Sequence, residues 1–207
     1  MSTPRRAEAD AASSSIRLDA RSLRGLAHPV RLKVLGRLRE GGPSTATALA
    51  RELGESSGVT SYHLRQLAAY GFVVEDTAPR PSRRERWWRA AHRTTVLEHS
   101  VGDDLETTML AEEYLRSVAG AYAERLLRFA DSLPALREEL GPQWADAADT
   151  SDWAVVATLE QAHELDRAIH ALVDALPPHD PEVPLPAGTQ RVVVQLQVMP
   201  TIPVGPR

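Results

Sequence analysis

Apolar residues recur at helical spacing along the first third of the chain, and glycine and proline divide this pattern into short helices. The apolar positions lie three or four residues apart, as one face of an α-helix requires. Pro29 starts a new helix, because proline disfavours helical backbone in the residue before it and suits a first helical turn. The predicted helices cover about residues 18–27, 29–40, 46–53 and 57–70, and Thr45 and Ser57 are the predicted N-caps of the last two.

The apolar spacing changes from helical to alternating after Gly71. Residues 72–76 and 84–89 alternate as strands do, with Pro79 and Pro81 in the loop between them. Two short helices joined by a tight connection and followed by a hairpin are typical of a winged helix-turn-helix. Adjacent strand residues point to opposite faces, so one of Trp87 and Trp88 is expected to fill the core of this domain.

The rest of the chain predicts a long helix, a shorter helix and two strands. The long helix covers residues 104–130, and a capping box at Thr158 and Gln161 opens a helix over 159–175. Strands are predicted near 153–157 and at 191–198, paired within one chain or across a dimer. The predicted fold class is mostly α with a small β part (α+β), with a disordered tail at 1–16, a winged helix-turn-helix at 17–93 and a dimerisation domain, with a possible effector site, at 94–207.

Charge is divided unevenly along the chain and points to a polyanion as partner. The net charge of the 207 residues is −4, which by itself argues weakly against nucleic acid. Residues 17–93, however, hold 15 Arg and Lys against 7 Asp and Glu, whereas residues 94–207 hold 7 against 19. The balances of +8 and −12 indicate a basic N-terminal half, in which a DNA site is expected.

The predicted helix at 57–70 has one face suited to a major groove. Leu64 and Leu67 fall within about 40° of Thr60 on a helical wheel and form a core stripe. The opposite face combines small residues for close approach with hydrogen-bond donors and a guanidinium for base edges and phosphates. Its members are Gly58, Ser61, Tyr62, Arg65 and Ala69. The predicted hairpin adds basic residues that suit phosphate contact: Arg80, Arg83, Arg84 and Arg86.

The first half of the chain resembles the ArsR-type winged-helix transcriptional regulators over about residues 18–92. Four stretches carry the resemblance: LAHPVRL at 26–32, ALA at 48–50, TSYHLRQL at 60–67 and YGFV at 70–73. The resemblance implies a homodimer that binds double-stranded DNA, with one recognition helix per subunit in successive major grooves. The absence of cysteine fits a cytoplasmic location. It places Ser57, Thr60, Ser61, Tyr62 and Arg65 in the recognition segment, to which we add Thr45 and Gly58, and it makes His63 structural.

The C-terminal half is expected to supply dimerisation, without a cofactor. The apolar face of helix 104–130 is the predicted interface: Leu110, Tyr114, Val118, Ala121, Leu126 and Phe129. Many ArsR-type proteins sense metals through cysteines, but this sequence contains no cysteine. His163, Asp166 and His170 lie along one helical face and are a weak candidate for Zn²⁺, against the simpler interpretation as an exposed polar face.

Several classes of function find no support in the sequence. No apolar run is long enough to span a membrane, and no phosphate-binding loop, nucleophile elbow or H-E-x-x-H motif indicates an enzyme. We therefore predict a DNA-binding transcriptional regulator that acts as a dimeric repressor. The alternative is a winged helix that docks an acidic protein partner through its basic face.

Overall fold

The computed structural model describes residues 15–78, 85–97 and 104–202. The helices are α1 (Ala20–Leu26), α2 (Pro29–Gly41), α3 (Ala46–Leu53), α4 (Ser57–Ala69), α5 (Leu105–Leu140), α6 (Pro142–Asp146) and α7 (Leu159–Asp174). The strands are β1 (Ser15–Leu18), β2 (Ser44–Thr45), β3 (Val73–Glu75), β4 (Trp87–Ala90) and β5 (Thr94–Leu97). The α+β class predicted from the sequence is confirmed.

The chain folds into two compact units, Met1–Arg128 and Phe129–Arg207. The sequence placed the boundary after residue 93, whereas the structure includes residues 105–128 of α5 in the N-terminal unit. Tyr114 of α5 is 7% exposed within the core of that unit, and Leu110 and Val118 pack against the same core. An apolar stripe on a helix does not by itself specify which neighbour covers it, and here the neighbour is the winged helix of the same chain.

The core of the N-terminal unit lies where the first four helices meet the sheet. Its fully buried side chains include Leu23, Leu26, Leu35, Leu38, Leu49, Leu64, Leu67 and Phe72. Gly25 lets α1 approach this core closely, because a Cβ there would lie 2.6 Å from Cγ of Tyr70 and 2.9 Å from Cε2 of Phe72. No other residue type fits this crossing without displacing one of the two rings.

Two small sheets complete the N-terminal unit. In the antiparallel sheet, β4 lies between β2 and β3, with Val73 opposite Ala90 and Thr45 opposite Trp87. In the other, β1 pairs in parallel with β5, from Ser15 opposite Thr94 to Leu18 opposite Leu97. The sequence predicted neither β1 nor β5 and assigned residues 15 and 16 to a disordered tail. Residues 1–14 of that predicted tail lie outside the described residues.

Polar contacts fix α2 and α5 within the N-terminal unit. The buried guanidinium of Arg39 donates from Nε to the carbonyl of His92 at 2.9 Å and from Nη2 to Oγ1 of Thr95 at 2.8 Å. On α5, Glu124 pairs with Lys33 at 2.7 Å, and Arg125 forms a half-buried ion pair with Glu40.

The C-terminal unit contains α6 and α7, and every described residue from 129 to 202 is exposed or half-buried. The capping box of α7 is confirmed: the Thr158 hydroxyl accepts from the amide of Gln161, and the Gln161 side chain accepts from the amide of Thr158. The predicted strands at 153–157 and 191–198 are not formed, since neither segment belongs to a sheet. An alternating pattern shows that a segment can pair, but a strand forms only where a neighbour satisfies its backbone groups.

Within the described ranges, no helix combines the length and the apolar character needed to cross a membrane.

Candidate nucleic-acid interface

Helices α3 and α4 form a helix-turn-helix whose ends are fixed by local hydrogen bonds. Oγ1 of Thr45 accepts from the amide of Ala48 at 3.2 Å and caps α3, as predicted. Gly54 ends α3 in the left-handed region at φ 69°. Ser56, not Ser57, is the cap of α4: its hydroxyl accepts from the amide of Val59 at 3.2 Å. The sequence could not separate the two serines, because both are good caps and they are adjacent.

The outward face of α4 carries most of the residues that the sequence assigned to DNA. Ser57, Gly58 and Arg65 are exposed, Ser61 is half-buried, and the side chain of Tyr62 is 52% exposed. The thirteen residues of α4 include no acid. The helix therefore presents small, hydroxyl and guanidinium groups in one direction, while Leu64 and Leu67 anchor its other face in the core.

Two residues predicted to contact DNA are buried instead. Thr60 is fully buried, on the core stripe that the helical wheel indicated. The resemblance had placed it in the recognition segment, and the structure agrees with the wheel. Thr45 is 4% exposed, because its side chain caps α3 and its backbone pairs with Trp87 in the sheet. Neither hydroxyl lies at the surface where DNA would dock.

Of the four wing arginines predicted to contact phosphates, the structure describes Arg86, which lies next to the sheet. Nε of Arg86 lies 3.3 Å from Oε2 of Glu75, and its guanidinium lies 5.7 Å from the ring centroid of Trp88. Trp88 is the tryptophan that fills the core, at 7% exposed, whereas Trp87 is half-buried on the other face of β4. Arg80, Arg83 and Arg84 lie outside the described residues.

A histidine pair links α4 to the start of α2. His63 on α4 is 7% exposed, and its ring centroid lies 4.5 Å from that of His28, the N-cap of α2. Burial lowers the pKa of both imidazoles, and the positive charge of Arg31 lowers both further. His63 was predicted to be structural; nothing in the sequence pattern indicated that His28 would be its partner.

The predicted dimer interface on α5 divides between two faces of the helix. Tyr114 is buried in the core of its own chain, and Leu110 and Val118 are half-buried against that core. Ala121 is half-buried beside Pro29 and Lys33, Phe129 is half-buried, and Leu126 remains 47% exposed.

A second apolar stripe lies on the more exposed side of α5, and of its residues only Leu126 was singled out from the sequence. It consists of Leu115, Ala119, Tyr122 and Leu126, at spacings of four, three and four residues. Leu115 is 43% exposed, Ala119 is exposed and Tyr122 is half-buried. This spacing is that of a coiled-coil seam. The sequence contains a signal for this stripe, because α5 carries two sets of apolar residues at helical spacing. The set that includes Tyr114 is the larger and the more easily recognised.

A groove of about 300 Å³ lies between α2 and α5 of the N-terminal unit. Pro29 and Lys33 form one wall, and Glu113, Gly120 and Glu124 form part of the other. Lys33 and Glu124 pair with each other across it at 2.7 Å.

The weak metal candidate in the C-terminal unit is not assembled as a ligand set. Nε2 of His170 lies 3.6 Å from Oδ1 of Asp166, one helical turn away. Among residues 15–78, 85–97 and 104–202, no three His, Cys, Asp or Glu side chains are grouped so as to hold a metal ion.

Comparison with known families agrees with the geometry of α3 and α4. The profile of a helix-turn-helix domain family matches residues 26–76, which are 51 of the 207 residues. The matched segment starts at Leu26, includes α2, α3, α4 and β3, and ends at Asp76. No curated protein matches the sequence. The N-terminal unit thus contains a helix-turn-helix DNA-binding domain.

Proposed function

We propose that this protein is a transcriptional regulator of the ArsR type, without catalytic activity, which binds operator DNA as a homodimer and acts as a repressor. The observation that carries the proposal is the outward face of α4. Ser57, Gly58, Ser61, Tyr62 and Arg65 lie on the solvent side of the second helix of a helix-turn-helix, and that helix is anchored by Leu64 and Leu67.

The chemistry of this face fits a major groove. The groove is about 12 Å wide and admits one α-helix, provided that the side chains of the approaching face are small. Ser57, Gly58 and Ser61 meet that condition near the start of α4. The start of the helix also carries the positive end of its dipole, which favours a nearby phosphate. Tyr62 and Arg65 then supply the longer donors for base edges.

A homodimer is supported by the exposed stripe on α5, Leu115 to Leu126. The coiled-coil spacing lets the same stripe of a second copy pack against it, and a two-fold symmetric contact needs one self-complementary patch. Two recognition helices related by that symmetry would read two half-sites. Repression is the sign of regulation that we propose, and the groove between α2 and α5 is the site proposed for an effector.

A selection from random double-stranded DNA tests the proposal directly. We expect the wild-type protein at about pH 8 to enrich one motif made of two inverted half-sites, centred about 10–10.5 base pairs apart or a multiple of that distance. Enrichment of a single half-site would keep the DNA-binding function and exclude the dimer. If no motif emerges, the protein is not a sequence-specific regulator, and the docking of an acidic protein through the same basic face becomes the better explanation.

A further inference from the structure

The pair formed by His28 and His63 joins the recognition helix to the rest of the domain. Nδ1 of His28 accepts from the amide of Val30 at 3.2 Å and caps α2. The rings of His28 and His63 are tilted by 44°, with their centroids 4.5 Å apart. On its other side, the His63 ring lies 5.3 Å from the ring of Tyr62, edge to face. Tyr62 belongs to the outward face of α4, so the histidine pair directly supports a residue of the proposed DNA surface.

His28 can perform its capping role only as a neutral imidazole. Because Nδ1 accepts the hydrogen bond from Val30, the proton of the neutral ring is assigned to Nε2. A second proton would occupy Nδ1 and remove the acceptor. It would also place a positive charge at the N-terminus of α2, where the helix dipole opposes it.

His63 is also held in an environment that opposes a charge. Its Nδ1 is buried and has no hydrogen-bond partner. A proton on that nitrogen would create a buried donor without an acceptor, which is costlier than the unpaired acceptor of the neutral ring. A charged His63 would in addition lie in ring contact with His28, so the first proton taken up by the pair disfavours the second.

Charged groups from each neighbouring element act on the pair. Arg31 of α2 opposes protonation of both histidines. Glu55, in the turn before α4, favours protonation of both, and Glu113 of α5 favours protonation of His28. Burial is the largest influence on each imidazole, and it outweighs the two carboxylates, so the pKa of each histidine lies below its usual value of 6.5.

We propose that His28 and His63 are positioning residues that hold α4 and Tyr62 in the DNA-binding arrangement only while both imidazoles are neutral, so that operator binding weakens as the medium becomes acidic. This inference rests on the proposed DNA-binding function, but the state of the pair can be measured without DNA.

The expected pH dependence has a defined sign. A base whose pKa is lower in the folded protein than in the unfolded chain takes up a proton on unfolding. Stability from the pair is therefore complete above the unfolded value of 6.5 and is lost as the pH falls below it towards the folded pKa. Ordinary electrostatics predicts the opposite for DNA, because two added positive charges near a polyanion would strengthen binding. As the pH falls, the positioning role therefore predicts weaker operator binding, whereas added positive charge alone predicts stronger binding.

The first experiment uses the wild-type protein without DNA. The Cε1–Hε1 signals of its histidines are followed by NMR between about pH 8 and pH 5. We expect the signals of His28 and His63 to titrate below the usual imidazole value of 6.5. If either signal of the pair titrates at or above that value, the pair is not held neutral by its surroundings and the inference fails, whatever the protein does with DNA.

The second experiment measures affinity for the selected operator by fluorescence anisotropy at constant ionic strength. We expect the wild-type protein to bind at least about threefold more weakly at pH 5.5 than at pH 8. The double variant His28→Asn/His63→Gln keeps a capping side chain and a neutral amide but cannot titrate, so its affinity should be the same at both pH values. The matched control His163→Gln should retain the wild-type loss.

The outcomes separate this inference from the proposed function. Binding at pH 8 with an affinity that is flat or rises towards pH 5.5 in the wild-type protein overturns the positioning role and leaves the DNA-binding function intact. An acid loss that persists in the double variant also overturns it. If no operator is found at pH 8, the proposed function fails, and the NMR titration still decides whether the pair is held neutral. Circular dichroism at both pH values shows whether the double variant is folded.

Discussion

At the scale of single residues, the two faces of α4 differ in their roles. One face anchors the helix in the core, and the other carries the residues proposed to recognise DNA. Thr60 and Arg65 are both polar and lie five positions apart, yet Thr60 is fully buried while Arg65 is exposed. The angular position around the helix decides this difference, since residues on the Leu64 side face the core. Polarity alone is thus a poor guide to which residues of a recognition segment reach DNA.

Arg65→Ala tests recognition at this scale. We expect the variant to lose about 1–3 kcal/mol of operator affinity and to tolerate substitutions at one base position, because a guanidinium that reads a guanine supplies both affinity and discrimination. Fluorescence anisotropy with the operator and with single-base variants measures both effects.

Arg116→Ala is the matched control, because it removes an equally charged side chain from α5 that is 75% exposed and paired with Glu112 at 3.0 Å. Equal losses in the two variants would show that Arg65 contributes only general positive charge.

At the scale of elements, α5 has two apolar faces, of which one packs in its own chain and the other is more exposed. Tyr114 marks the face buried in its own chain, and Leu115, the next residue, begins the stripe that remains exposed. The helix can therefore serve as a wall of the N-terminal unit and as a dimer seam together. In the proposed homodimer, the buried face holds α5 against its own chain. The exposed stripe then sets the distance between the two recognition helices.

Leu126→Glu is expected to weaken the dimer without unfolding the chain, because it places a charge within the proposed seam while leaving the buried face of α5 intact. Sedimentation velocity should show a dimer dissociation constant raised at least about tenfold.

Leu127→Glu is the matched control. Leu127 is 66% exposed and lies about 100° around the helix from Leu126, outside the stripe, so its variant should sediment as the wild-type protein does. A dimer that resists Leu126→Glu must be held by another surface.

The elements also show why some features could be predicted from the sequence and others could not. The cap at Thr45 and the capping box at Thr158 depend on residues three positions apart, so they are visible in a single sequence. The outward face of α4 follows from helical periodicity.

The pairing of β1 with β5 and the contact between His28 and His63 join distant parts of the chain, and no periodic pattern reports them. The segments 153–157 and 191–198, predicted as strands, belong to no sheet within this chain, since alternation does not supply a partner.

At the scale of the whole molecule, charge is separated between the two halves of the sequence. The basic part, at +8, contains the helix-turn-helix, and the acidic part follows it at −12. A polyanion attracts the first and repels the second, which favours approach through the basic face alone. The net charge of −4 conceals this preference.

Operator affinity should depend steeply on salt. If a dimer neutralises ~6–10 phosphates, the association constant is expected to fall about 10³–10⁵-fold between about 50 and 200 mM salt, because each neutralised phosphate releases bound counterions. Anisotropy titrations at four or five salt concentrations give the slope. A shallow slope would mean that few phosphates are contacted, and the wing arginines would then have no role in binding.

The parallel pairing of β1 with β5 has a consequence for how this domain forms during translation. Ser15 and Thr94 lie 79 positions apart in the sequence, so β1 and β5 are expected to be among the last elements of the N-terminal unit to meet. A contact between such distant residues forms late, after the loop between them has been closed by shorter contacts. While the ribosome is still synthesising β5, residues 15–18 have no strand to pair with, and α5 has not yet covered the core. We therefore expect the nascent helix-turn-helix to stay incompletely packed until residues 105–118 of α5 have left the exit tunnel.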